Sequence, residues 1–148
     1  MKANFGVTLG VHVALATFCA LVALASPAMA QAVSYKAALN GASEVPPTTS
    51  KATGTLAATY DPATKTLTYT ITYSGLTGEA TGAHFHGPAA AGENAGVAVP
   101  IKPPLASPIK GSATLTDAQA SDLAAGKWYL NIHTAANKPG EIRGQVQK

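Results

Sequence analysis

Leu67, Tyr69, Ile71 and Tyr73 alternate strictly with Thr66, Thr68, Thr70 and Thr72. Successive side chains of a strand point to opposite faces, so this run has one apolar face and one hydroxylated face. A helix would scatter the same residues around its circumference. Shorter pieces of the same pattern recur along the chain, bounded by glycine, proline or turn pairs. Ala32 to Leu39 ends at Asn40-Gly41, a strong turn signal. Gly54 to Tyr60 and Thr66 to Tyr73 form the arms of a hairpin across Asp61-Pro62-Ala63-Thr64-Lys65. Gly96 to Ile101, Ile109 to Leu115, Lys127 to His133 and Glu141 to Gln147 supply further strands. Glu44-Val45-Pro46-Pro47 reads as an edge or loop, because proline has no amide to donate to a central ladder. Thr116-Asp117-Ala118-Gln119 is a capping box and predicts a short helix from Asp117 to about Ala125, with Gly126 at its end. With about eight short strands and one helical turn, the expected fold is all-β: an immunoglobulin-like or Greek-key sandwich or barrel.

The first thirty residues follow a different rule. Lys2 precedes an apolar run from about Val7 to Ala25, and Ala28-Met29-Ala30 is a small-residue cleavage site before Gln31. Residues 1–30 therefore read as a signal peptide and residues 31–148 as one exported domain, periplasmic or secreted. A membrane anchor competes, since the run approaches spanning length. The cleavage site and the lack of a basic stop-transfer flank favour removal. Cys19 follows bulky Phe18, unlike a lipid-attachment cysteine. Cleavage takes Cys19 and His12 away, so the exported chain has neither a disulfide framework nor a thiolate ligand. The net charge of +3 is small and scattered, which excludes a nucleic-acid surface.

Three histidines remain: His84, His86 and His133. The first two lie in Gly82-Ala83-His84-Phe85-His86-Gly87-Pro88, between a glycine able to end a turn and a Gly-Pro that stops a strand. They share one strand face, while Ala83 and Phe85 share the other. In the Lys127 strand, Trp128, Leu130 and Ile132 point one way and Tyr129, Asn131 and His133 the other. If the apolar sets face the core, all three imidazoles stand on the non-core side, each beside a turn. Three imidazoles without cysteine suit Cu(II) or Zn(II), copper ahead of zinc, whereas Ca(II) would require carboxylates. Such a site leaves one coordination position open.

Other residues are candidates around it. Glu141 and Arg143 share a face and form at least a surface ion pair. Arg143 could instead pair with Glu44 or Glu141 to hold a loop near the site, or meet an anionic substrate. Glu93 and Asn94 could supply a fourth ligand; Trp128, Tyr69 and Tyr73 read most simply as core, though one tyrosine near the histidines could hydrogen-bond a ligating ring from behind. No phosphate loop, Ser-His-Asp arrangement or close carboxylate pair is present, so the residues specify no reaction. The competing reading makes the histidines structural, with His133 donating to a backbone carbonyl. The domain is then a non-catalytic module that binds a protein or glycan through its loops.

Four blocks, in order, resemble the CHRD domain, named for the repeats of chordin and found also in secreted bacterial proteins. They are Leu39-Asn40-Gly41-Ala42-Ser43-Glu44-Val45-Pro46-Pro47, Gly82-Ala83-His84-Phe85-His86-Gly87-Pro88-Ala89, Trp128-Tyr129-Leu130-Asn131-Ile132-His133-Thr134 and Gly140-Glu141-Ile142-Arg143-Gly144-Gln145. The resemblance spans essentially all of residues 31–148 and implies an immunoglobulin-like extracytoplasmic domain. A local similarity to copper/zinc superoxide dismutase, a Greek-key barrel with copper outside its wall, lies in the Gly-x-His-x-His strand, the later strand ending in histidine and the following arginine. It implies His84, His86 and His133 as copper ligands and Arg143 as an anion guide. The bridging histidine, the zinc-loop ligands and the disulfide cysteines of that family are missing here, so the similarity bears on metal binding and not on dismutation.

Overall fold

The structure, a computed structural model, describes residues 1–2, 6 and 31–148; the apolar run and cleavage site of the predicted signal peptide lie outside the described residues. The alternating runs become strands β1 (Val33–Asn40), β2 (Thr53–Asp61), β3 (Thr66–Ser74), β4 (Ala80–His86), β5 (Val97–Pro100), β6 (Ile109–Thr114), β7 (Tyr129–Thr134) and β8 (Ile142–Gln145), with helix α1 (Asp117–Ala124) between β6 and β7. Lys127 and Trp128 precede β7, and Glu141 precedes β8, so the last two strands are shorter than the alternation predicts.

Local chemistry accounts for the turns. Asp61 accepts from Ala63 N at 2.9 Å and Thr64 Oγ1 at 3.0 Å, closing the β2–β3 hairpin. Asn40 caps a single 3-10 turn at Gly41–Ser43 by accepting from Ser43 N. The capping box forms as expected: Thr116 Oγ1 accepts from Gln119 N, and Gln119 Oε1 accepts from Thr116 N. Gln119 Nε2 also donates to Ala98 O, tying the helix to β5.

All pairings are antiparallel, and the eight strands form one sheet in the order β5-β4-β7-β8-β1-β2-β3-β6. The junction of β8 with β1 is narrow. It consists of the Asn40–Arg143 pair and the isolated Lys36–Gln147 bridge. Here the sheet curls on itself into a nearly closed barrel, rather than splitting into two separate sheets. Phe85 of β4 consequently packs edge-to-face on Tyr69 of β3, ring centroids 5.3 Å apart, although four strands separate them in the sheet. Trp128 joins the same cluster, 5.9 Å from Phe85. Leu67, Tyr69 and Ile71 are buried while Thr68 and Thr72 are exposed, as the period-two pattern requires. Among the described residues, no helix is long and apolar enough to cross a membrane.

One half of the curled sheet is not bare outside. Tyr129, Asn131 and Arg143 are buried although they point away from the core, and the loop between β4 and β5 hydrogen-bonds Tyr129, Arg143 and His86 there. This outer polar layer carries the histidines.

Candidate metal centre

Strands β4 and β7 set the histidines against each other by register. Gly82 pairs with His133, His84 with Asn131 and His86 with Tyr129. Gly82 therefore lies inside the strand, at a register irregularity, and does not end a turn as its sequence context suggests. A side chain there would crowd the cluster: a Cβ on Gly82 would lie 3.3 Å from His84 Cε1 and 3.5 Å from His133 Cδ2. The absent side chain lets two rings tilt toward each other across the strand pair.

His84 Nδ1 and His133 Nε2 are 3.0 Å apart. One nitrogen from each of His84, His86 and His133 lies within 4.8 Å of the other two. Ligand nitrogens at about 2.0–2.1 Å from a tetrahedral ion would stand roughly 3.3 Å apart. The His84–His133 pair already meets that spacing, and the set closes with a further shift on the order of 1 Å.

Backbone carbonyls fix two of the rings. His86 Nδ1 is 3.0 Å from Ala95 O, and His133 Nδ1 is 2.8 Å from Lys138 O. A carbonyl can only accept, so each ring carries its proton on Nδ1 and presents a lone pair at Nε2. His133 thus fulfils the expected donation to a backbone carbonyl, and that same bond frees its other nitrogen for a ligand. The His84–His133 contact is then carried by His84 Nδ1–H. His86 Nε2 is buried without a hydrogen-bond partner.

Electrostatics favours the neutral form of His84 and His86. Burial lowers the pKa of His84, and the neighbouring His133 and His86 lower it further. Burial also lowers that of His86; the Ala95 carbonyl and the Asn131 amide oppose it, while His133 and Arg143 add to it. A neutral imidazole is the form that binds metal.

Behind His86 stands Tyr129, stacked on it at 4.8 Å with the planes 2° apart. The Arg143 guanidinium lies over the Tyr129 ring, Cζ 3.4 Å from its centroid. Arg143 is only 2% exposed and donates to Asn94 Oδ1 at 3.0 Å and to Glu93 O at 2.5 Å. It thereby clamps the loop whose Ala95 carbonyl orients His86. The tyrosine beside the ligands is Tyr129, which stacks on His86 instead of donating to it, while Tyr69 packs in the core and the Tyr73 hydroxyl donates to Leu105 O.

The remaining candidates go elsewhere. Glu141 and Arg143 do not form a surface ion pair; both are buried and their side chains have different partners. Glu141 accepts from Ser50 Oγ, Thr77 N, Thr77 Oγ1 and Thr134 Oγ1, at 2.8, 2.8, 2.7 and 2.6 Å. Burial pushes its pKa up, but these bonds outweigh burial and hold it at about 2. It knots three chain segments beside β7 and stands outside the imidazole cluster. Glu44 is buried with Oε1 unpartnered; burial raises its pKa to about 7 against the pull of Arg143. It lines a cleft of about 590 Å³ with Arg143 and Gln145. Glu93 and Asn94 are not placed as a fourth ligand: Glu93 accepts from Ala90 N, and Asn94 bridges Arg143 and Val45 O.

Sequence reasoning missed the roles of Tyr129 and Asn131. Their signal was present, since Tyr129, Asn131 and His133 fall on one strand face, but polar residues at period two look alike until the covering loop is placed.

The CHRD domain family profile matches residues 35–146. No curated protein and no solved structure is significantly similar to the chain. CHRD domains are typically extracellular. With a match that runs from the first strand to the residue after β8, the chain belongs to the CHRD domain family.

Proposed function

We propose that this protein is an exported metal-binding domain that holds one copper ion, with zinc as the alternative, on His84, His86 and His133. The observation that carries the reading is the convergence of three imidazole nitrogens within 4.8 Å, one ring presenting a buried nitrogen with no partner. Nothing in the core packing requires three imidazoles there. Copper ranks ahead of zinc because divalent affinity for nitrogen donors peaks at copper. A three-histidine set keeps a position open, which suits either a carrier that passes its ion on or a redox site. The leader-like residues 1–30 and the family's extracellular character support a periplasmic or secreted location.

Metal analysis of untagged protein tests this. About one copper per chain should survive gel filtration, and His133→Ala and His84→Ala should each lose it. Equal metal content in parent and variants, or none in the parent, removes the reading. The cleft beside Glu44 and Arg143 favours the second reading, a module that binds a protein or glycan through its loops. That module would bind its partner equally well after His133→Ala.

A further inference from the structure

Asn131 stands on the strand face that carries the histidines, and its amide oxygen has no partner in the fold. It is 3% exposed, faces outward between Tyr129 and His133 on β7, and pairs across the sheet with His84. Its Oδ1 is buried and has no hydrogen-bond partner. The amide orientation is set by its other end: Nδ2 is 3.4 Å from Pro139 O, and turning the amide over would set carbonyl against carbonyl. Glu44 Oε1 and the same nitrogen both lie against Gly140, where any side chain would collide with them. Oδ1 is thus left free on the outward face of β4 and β7 that carries the three imidazoles.

Two acceptors carried on the outward face of the same strand pair, His86 Nε2 and Asn131 Oδ1, are each buried without a donor. Each such group costs about 1–3 kcal/mol, and native structures keep few of them. A cation satisfies both at once, and would take the lone pair that His133 Nε2 offers to His84 in its absence. Resting on the three-histidine reading, we infer that Asn131 Oδ1 is a fourth donor to the ion, which makes the site N3O and selective for Cu(II) over Cu(I). The selectivity follows from hardness: an amide oxygen adds affinity for the divalent ion and little for the soft monovalent one.

Asn131→Leu keeps the volume and removes the oxygen, whereas Asn131→Asp keeps an oxygen in place. Copper salts are the probe, with Cu(II) and Cu(I) affinities read by chelator competition and the cupric site by electron paramagnetic resonance. For Asn131→Leu, Cu(II) affinity should fall about tenfold or more and the spectrum should shift, with Cu(I) affinity unchanged. Asn131→Asp should restore Cu(II) binding. Unchanged Cu(II) affinity and spectrum in Asn131→Leu, with His133→Ala still losing the metal, overturns the inference and leaves the histidine site standing. A parent chain that binds no copper removes both. If Asn131→Leu does not fold, Asn131→Asp decides: a spectrum identical to the parent's, with no gain in Cu(II) over Cu(I), overturns it.

Discussion

Two buried glutamates behave oppositely because one is surrounded by donors and the other is not. Glu141 receives four hydrogen bonds, and its folded pKa of about 2 lies below the ordinary 4.5. It therefore contributes stability at pH values above 4.5, and that contribution is lost as the pH falls from there toward about 2. The size is on the order of 3 kcal/mol, from 1.36 kcal/mol per pKa unit. Glu44 has its pKa raised to about 7, so the folded state prefers it protonated. Its contribution is fully present below 4.5 and is lost as the pH rises through about 7. Glu141→Gln should lose roughly 2–4 kcal/mol at pH 7 and little at pH 2, whereas Glu44→Gln should gain stability relative to the parent at pH 8. Urea denaturation across that range checks both, and parallel pH profiles for parent and variants would contradict the assignment.

At the scale of elements, the loop between β4 and β5 is the part of the molecule that metal binding would depend on most. Side chains that hold it to the sheet include Arg143 on Glu93 O and Asn94, the Tyr129 hydroxyl on Ala95 N, and Gln145 Nε2 on Ala89 O. Arg143→Lys keeps the charge but loses the planar stack on Tyr129 and the two-armed donation. Hydrogen exchange at Ala95 should accelerate about tenfold or more while β3 amides keep their protection. Copper affinity should drop by about 10–100-fold, the usual effect of loosening a group that orients a ligating imidazole. Unaltered exchange at Ala95 would show that the arginine does not hold the loop.

For the molecule as a whole, the curl of the sheet produces two layers of different chemistry from one set of strands. Inside, Phe85, Tyr69 and Trp128 close an apolar core; outside, the same strands β4 and β7 carry imidazoles and an amide. An ion bound only by the folded site stabilises by mass action, about 2.7 kcal/mol at a hundred times its Kd. At about 3–6 °C per kcal/mol, between the values for smaller and larger domains, added copper should raise Tm by roughly 8–16 °C in the parent. Calorimetry of His84→Ala should show no such rise; an equal rise in both would place the copper elsewhere.

The alternating runs and turn residues determined the secondary structure, because strand period and turn chemistry are local properties. Thr66 to Tyr73 could face a core in only one way, and Thr116 with Gln119 could only start a helix. They also placed His84, His86 and His133 away from the apolar faces, since Phe85, Leu130 and Ile132 could not turn outward. What the tertiary structure decided was contact. The register that sets Gly82 opposite His133, the loop that buries His86, and the orientation of Asn131 depend on residues distant in sequence. So do the partners of Glu141 and Arg143, which stand two residues apart on one face yet bind different segments. Periodicity assigns a side chain to a face; only packing between strands decides what it meets there.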